Sequence, residues 1–228
     1  VTVQDRVAVI VPAFNESAAL CSVLEALVTT GYEVVVVDDG STDDTWAVVT
    51  HFPVHRLRHP VNIGQGAALQ TGMDYARRLQ VDMIVHFDAD GQHQVEDIES
   101  VLAPIRSGAA DVTLGSRFLR RTDAELVPAG RRRLLRLAVL VSFIFTGTKL
   151  TDAHNGLRGM TRDAAAKITL RQEGFAHASE IVAQIRRHRL RWVEAPTRIL
   201  YTPYSRAKGQ RGLNALNTLF DLVLRTFE

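Results

Sequence analysis

The 228-residue sequence contains a single cysteine, Cys21. An intramolecular disulfide and a thiolate-held metal cluster are therefore both excluded, and a reducing compartment fits. Net charge is also nearly absent: 27 basic residues against 25 acidic ones leave +2, too balanced to indicate nucleic acid. No apolar run reaches the roughly 18 residues of a membrane span. The nearest approach, Leu134 to Phe145, is interrupted by Arg136. There is no signal-peptide pattern, because the first residues run straight into a strand pattern. The chain does not begin with Met, so trimming at either end stays open. Internal repeats and low-complexity linkers are missing too.

What is present suffices for a packed core: 46% of residues are hydrophobic, in a length that suits one or two domains. The balanced charge hides an asymmetry. Acidic residues crowd the first half, among them Asp38, Asp39, Asp43, Asp44, Asp88 and Asp90. Basic residues crowd the second, among them Arg117, Arg131 to Arg133, Arg186, Arg187, Arg206 and Lys208. An acidic site that takes a cation, facing a basic surface that takes an anion, is one arrangement this permits. Solvated surface on both halves is the other.

Short apolar β-branched runs alternate with helical periods. Val7 to Val11, Val34 to Val37, Met83 to Phe87 and Asp111 to Leu114 read as buried strands, with Val54 to Leu57 a weaker one. Ser17 to Val28, Thr42 to Val49, Gly66 to Leu79 and Val95 to Ile105 carry the helical period. This alternation over residues 1 to 115 predicts an α/β fold with a doubly wound, mostly parallel sheet flanked by helices. The second half is expected to complete the same domain, spanning 1–228.

Ligands of such sheets sit beyond the carboxyl ends of the strands. Three polar turns fall there: Pro12-Ala13-Phe14-Asn15-Glu16, Asp38-Asp39-Gly40-Ser41 and Asp88-Ala89-Asp90-Gly91-Gln92-His93. Asp88 and Asp90 are one residue apart and can converge on a hard cation such as Mg2+ or Mn2+, with Gln92 or His93 adding a ligand. An Asx-turn and helix cap before Val95 is the other reading. Likewise Ser41 or Thr42 can cap the next helix, with Asp43 and Asp44 at its positive end. That leaves the consecutive carboxylates Asp38 and Asp39 calling for a ligand or donor groups. Asn62-Ile63-Gly64-Gln65-Gly66 opens a helix, but position 69 is Leu, so the dinucleotide fingerprint fails, which argues against hydride transfer. No phosphate-loop lysine pattern occurs.

These turns, with Asn62-x-Gly64-x-Gly66 and Gly115-Ser116-Arg117, occur in an order and at intervals that resemble glycosyltransferase family 2, the GT-A fold. The Asp88-Ala89-Asp90-Gly91-Gln92-His93 form and the downstream Asp152-Ala153-His154-Asn155-Gly156-Leu157-Arg158 resemble the branch that makes dolichyl- or polyprenyl-phosphate sugars.

The resemblance implies roles. Pro12 to Glu16 and Asp39 hold the nucleoside of a UDP- or GDP-sugar, with Gly66 close by. Asp88, Ala89 and Asp90 hold its diphosphate, and Asp88, Asp90 and Gln92 hold the metal. Arg117 and either Arg132 or Arg133 lie near the phosphates. Arg206 and Lys208 stand where the branch has Tyr-Gly-x-Ser-Lys, and are expected to clamp phosphate. Residues 1–117 are then the nucleotide-sugar half and 118–228 the acceptor half.

A polyprenyl-phosphate acceptor is already anionic and needs little base catalysis. A sugar hydroxyl needs a carboxylate base, for which Asp152 and Glu180 are the candidates. Arg131 to Thr146 and Leu213 to Phe227 are amphipathic enough to lie at a bilayer, or else pack on the sheet or between copies of the chain. The expectation is a metal-dependent inverting glycosyltransferase, peripheral at the cytoplasmic membrane face or met there by a separate membrane protein. Its alternatives are a transferase extending a glycan at a hydroxyl, and a nucleotide-sugar-binding or nucleotidyl-transfer protein.

Overall fold

The apolar runs of the first half become parallel strands because each must bury both of its faces. A computed structural model describes residues 5–125, 127, 129–152, 155–171 and 177–201. Its strands are β1 (Val7–Ala13), β2 (Glu33–Asp38), β3 (His55–Arg58), β4 (Met83–His86), β5 (Val112–Ser116), β6 (Arg158–Thr161) and β7 (Trp192–Pro196). They form one sheet in the order β3-β2-β1-β4-β6-β5-β7. Every pairing is parallel except those of β6, which runs against both β4 and β5.

Helices α1 (Ser17–Val28), α2 (Thr45–Thr50), α3 (Gln65–Arg78) and α4 (Asp97–Arg106) connect the first five strands. The second half adds α5 (Arg121–Glu125), α6 (Ala129–Thr146), α7 (Arg162–Lys167) and α8 (His177–Arg187). Because side chains alternate along a strand, β1 feeds two separate cores. Val7, Val9 and Val11 join Leu20, Leu24, Ile98 and Leu102 of α1 and α4. Ala8 and Ile10 join Leu69 and Met73 of α3 and Ile181 and Ile185 of α8. Gly72 allows α3 to lie close to the sheet, since a Cβ there would stand 2.3 Å from Cγ2 of Ile10.

The strands and helices expected over residues 1 to 115 are present, and two of them start later than the periodicity implies. Helix α2 begins at Thr45 rather than Thr42. Helix α4 begins at Asp97 rather than Val95, since His93 forms a β-bridge with Ile199. The second half does not stack behind the first. It threads β6 between β4 and β5 and sets β7 outside β5, so the two halves share one sheet.

Candidate active site

Strands β1, β2, β4 and β5 end at the same edge of the sheet, and β6 begins there. The polar turns are therefore neighbours, and hydrogen bonds join them in sequence. The N–H of Asn15 donates to Oγ of Ser41 (3.0 Å), and the N–H of Thr42 donates to Oδ1 of Asn15 (2.9 Å). Glu16 N–H donates to Oγ1 of Thr45 (2.8 Å). Asn15 takes a φ of 52°, a left-handed conformation that Asn tolerates better than most side chains. Phe14 is left 41% exposed at the tip of this turn.

The two consecutive carboxylates after β2 are matched by donors of the protein itself. Asp38, fully buried, forms an ion pair with Arg58 (Oδ2 to Nε, 2.9 Å), and its Oδ1 accepts the N–H of Ser41 (3.0 Å). Asp39 pairs with Nδ1 of His59 (2.7 Å) and accepts from Nδ2 of Asn62 (3.0 Å) and the N–H groups of Ile63 (3.0 Å) and Gly64 (2.7 Å). Asp39 thus organises the turn that opens α3. Gly66 is buried one residue into that helix. The capping expected of Ser41 or Thr42 is not what forms. Instead Asp43 accepts from the N–H of Thr45 (3.0 Å) and from Oγ of Ser17 (2.7 Å), tying the start of α2 to the start of α1.

From α3 the chain of contacts reaches Asp88: Nε2 of Gln65 donates to its Oδ1 at 2.9 Å, and Nε2 of His93 lies 3.1 Å from its Oδ2. Burial works against charge on Asp88, but the bond to His93 and the nearby positive groups, Arg158 among them, bring its pKa down to about 2. Asp90 is the opposite case. Burial, and then the charge of Asp88, push it up to about 6 against the pull of His93 and of the Gln92 N–H. That N–H donates to Oδ1 of Asp90 at 3.0 Å, an Asx-turn with Gly91 at φ 72°. The turn expected of this motif is thus real, whereas α4 receives no side-chain cap. The Gln92 side-chain amide makes no hydrogen bond among the described residues.

Two segments from the second half close on this loop. Gly156 lies against Asp88 so tightly that a Cβ there would meet its carboxylate oxygens. Beyond β7 the chain passes alongside the loop: Ile199 bridges to His93, and Leu200 N–H donates to the carbonyl of Gln92 (2.8 Å). Arg117, after β5, is buried against Asp152, whose Oδ2 accepts its N–H (3.2 Å) and its Nε–H (2.5 Å). Burial opposes charge on Arg117, but Asp152 and Tyr201 outweigh it and raise its pKa. Oε1 of Glu194 in turn accepts from the N–H groups of Thr151 (2.8 Å) and Asp152 (3.2 Å), fixing the segment that carries Asp152.

Other expected residues make contacts of their own or lie outside the described residues. Arg132, half-buried, donates to the carbonyl of Val127 (3.2 Å), while Arg133 is exposed. Neither is linked by a hydrogen bond or ion pair to Asp88 or Asp90. Glu180 accepts the N–H of Arg171 at 3.0 Å. Arg206, Lys208 and the stretch Leu213 to Phe227 lie outside the described residues. Gln65, Glu194 and Tyr201 were not singled out from the sequence. Gln65 was legible as the variable position inside Asn62-x-Gly64-x-Gly66; the other two carry no local signal.

No group of three or more His, Cys, Asp or Glu among the described residues is arranged to hold a metal ion. Mg2+ and Mn2+ are characteristically held by one or two carboxylates, with phosphate and water in the other positions. Asp90 meets the test for such a ligand: a carboxylate buried beside another, with one N–H as its hydrogen-bonding compensation. A separate cleft of about 490 Å3, lined by Gly40, Ser41, Thr42, Arg58, His59 and Pro60, opens beside Asp39, and neither Asp88 nor Asp90 lines it.

Known proteins are similar to this chain in sequence and fold. The family model for glycosyl transferase family 2 matches residues 8–169. An uncharacterised protein of Methanocaldococcus jannaschii is 33% identical over 97% of this chain and 93% of its own length. A UDP-N-acetylglucosamine–dolichyl-phosphate N-acetylglucosaminyltransferase of Methanococcus voltae is 28% identical over 94% of each. Among solved structures, glucosyl-3-phosphoglycerate synthase of Mycobacterium tuberculosis, crystallised with Mn2+, UDP and glucosyl-3-phosphoglycerate, superposes with a TM-score of 0.64. It is 18% identical, over 95% of this chain and 80% of that one. The chain belongs to glycosyltransferase family 2 and is a glycosyltransferase with the GT-A fold.

Proposed function

We propose that the protein transfers a sugar from a nucleoside-diphosphate sugar to the phosphate of a polyprenyl lipid, inverting the anomeric carbon. The observation that carries this reading is the engagement of Asp152. A hydroxyl acceptor needs a carboxylate free to take its proton, and Asp152 already accepts from Arg117 through N–H and Nε–H. Glu180, the other candidate base, accepts the N–H of Arg171. A phosphate acceptor is anionic near neutral pH and attacks without a base. What it needs is a held cation, and Asp152 holds Arg117 in place. The relative from Methanococcus voltae, by its name, uses a dolichyl phosphate, which supports the same class of acceptor.

On this reading Pro12, Ala13, Phe14, Asn15 and Glu16 face the nucleoside, with Asp39 and Gly66 shaping the opposite wall. Asp88 and Asp90, with Gln92, would hold Mg2+ or Mn2+ near the donor diphosphate and Ala89, where the ion would supply positive charge for the departing nucleoside diphosphate. Arg117 draws the acceptor phosphate toward the anomeric carbon, aided by Arg132 or Arg133 and by Arg206 and Lys208 from the C-terminal segment.

No described helix is long and apolar enough to cross a membrane. On the proposed reading, the lipid is met at a membrane surface. Helix α6 suits that role, with Leu137, Leu140 and Phe143 exposed at intervals of three alongside exposed Arg133 and Arg136.

The test is a radiolabel transfer assay with Mn2+, a panel of UDP- and GDP-sugars, and a short-chain polyprenyl phosphate. Lipid-linked product is expected. Product formed only on a free sugar or oligosaccharide overturns the acceptor, and nucleotide binding without any transfer overturns the reaction.

A further inference from the structure

The apolar core between the sheet and α8 ends, at the carboxyl edge of the sheet, in polar side chains. His86 follows Ile84 by two residues on β4, and Arg158 precedes Met160 by two on β6. Ile84 and Met160 belong to the core that faces α3 and α8, so His86 and Arg158 point to the same face. The strand register sets the two opposite each other. His177 lies one turn before Ile181 on the buried side of α8.

Arg158 is 5% exposed and His86 1% exposed. Among the described residues, Nη1 of Arg158 and both ring nitrogens of His86 have no hydrogen-bond partner. Burying a guanidinium without an acceptor is costly unless a bound group supplies one. The two carboxylates that act on Arg158 are Asp88 and Asp152, and both are committed elsewhere. Asp88 is held by Gln65 and His93, and Asp152 by Arg117. His86, buried opposite Arg158, leaves both ring nitrogens to be matched as well. A guanidinium and an imidazole together suit a ring of hydroxyl groups, each of which both donates and accepts.

The location narrows the ligand. Arg158 is within electrostatic reach of both Asp88, in the metal loop, and Asp152, the partner of Arg117. Under the proposed function, the group lying between the donor diphosphate and the acceptor phosphate is the donor sugar. We propose that Arg158 and His86, with His177 beside them, form the subsite that reads the donor sugar, whose oxygens accept from the guanidinium. This inference rests on the proposed function and deepens it. A hydroxyl, an N-acetyl carbonyl or a carboxylate each supplies the acceptor oxygen, so the chemistry is shared by neutral hexoses, N-acetylhexosamines and hexuronates.

Titration calorimetry of the full chain with Mn2+ separates the subsite from the rest of the site. The ligands are UDP and GDP against UDP-glucose, UDP-N-acetylglucosamine, UDP-glucuronate and GDP-mannose. Arg158→Met is expected to weaken the nucleotide sugar about tenfold, the scale of one lost charge-assisted hydrogen bond. The bare diphosphate should stay within about twofold, because it makes no such bond. Arg158→Lys keeps the charge that Asp88 and Asp152 feel and guards against a folding defect. It should also weaken the sugar selectively, since a point charge does not replace the planar fork. The sugar with the largest loss identifies the oxygen class that faces Arg158. Equal weakening of diphosphate and nucleotide sugar, or no weakening of either, overturns the subsite while leaving the donor site standing. Failure of the wild-type protein to bind any of the nucleotides overturns the proposed function as well.

Discussion

Oδ2 of Asp152 lies 2.5 Å from Nε of Arg117, and both side chains are almost completely withdrawn from solvent. Removing one member of such a pair strands the other charge in a poorly solvating interior, at a cost of about 3–5 kcal/mol. Asp152→Ala and Arg117→Met are each expected to destabilise on that scale in urea unfolding. The double variant Arg117→Met/Asp152→Leu should lose less than the sum, because no unpaired charge remains. Strict additivity would mean that the two side chains do not depend on each other.

Gly156 makes a sharper demand on the metal loop. A Cβ at this position would stand 1.9 Å from Oδ2 of Asp88, which Gln65 and His93 hold in place. Gly156→Ala must therefore displace the carboxylate rather than the backbone. A modest stability loss of about 1–2 kcal/mol is expected, with a much larger loss of Mn2+-dependent UDP binding. Wild-type affinity in this variant would show that Asp88 has no fixed part in holding the metal.

The contrast between these residues explains what was legible beforehand. Asp88, Asp90, Asp39 and the turn at Pro12 to Glu16 sit at strand ends in one half of the chain, where apolar runs and polar turns announce them. The buried environment of Arg158 depends on β6 slipping between β4 and β5, a pairing of strands more than 70 residues apart that no local period encodes. Glu194 likewise acts on Thr151 and Asp152 across a gap of more than 40 residues. The reading that changed was a local competition: Asp43, not Ser41 or Thr42, accepts the N–H of Thr45 at the start of α2. Asp38 and Asp39, read as calling for a ligand or donor groups, meet donors from Arg58, His59, Asn62 and backbone N–H groups.

Asp43 offers a pH dependence remote from the metal. Some burial opposes its charge, but bonds from Thr45 and Ser17 dominate and hold its pKa at about 2. A folded-state pKa below the unfolded one contributes stability above about pH 4, lost as pH falls toward 2. Asp43 is exposed, so the expected cost of Asp43→Ala at pH 7 is about 1 kcal/mol, as for other capping residues. The gap between wild type and variant in thermal unfolding should close between about pH 4 and pH 2. A gap that persists to pH 2 would assign the effect to packing.

Exposed Leu137, Leu140 and Phe143 on α6 predict a lipid contact that can be measured without substrate. The wild-type chain is expected to co-sediment with phosphatidylglycerol vesicles more than with phosphatidylcholine vesicles, through Arg133 and Arg136. Leu140→Glu should weaken that partition by about 1–2 kcal/mol, roughly tenfold. Unchanged sedimentation would move the lipid contact elsewhere on the chain.

Asp90 joins the stability of the loop to its function. With its pKa pushed up to about 6 by burial and by Asp88, an ionised Asp90 at pH 7.5 strains the metal-free fold. Asp90→Asn removes that charge and keeps the shape, so the metal-free variant should be as stable as wild type or about 1–2 kcal/mol more stable. Adding Mn2+ with the donor nucleotide should reverse the order. Ligand that binds the native state raises its melting temperature by mass action, and the wild type alone has the carboxylate to hold it. Turnover should vanish in the variant. An equal thermal shift in both proteins would mean that Asp90 is there for its Asx-turn with Gln92, and that the cation is held elsewhere.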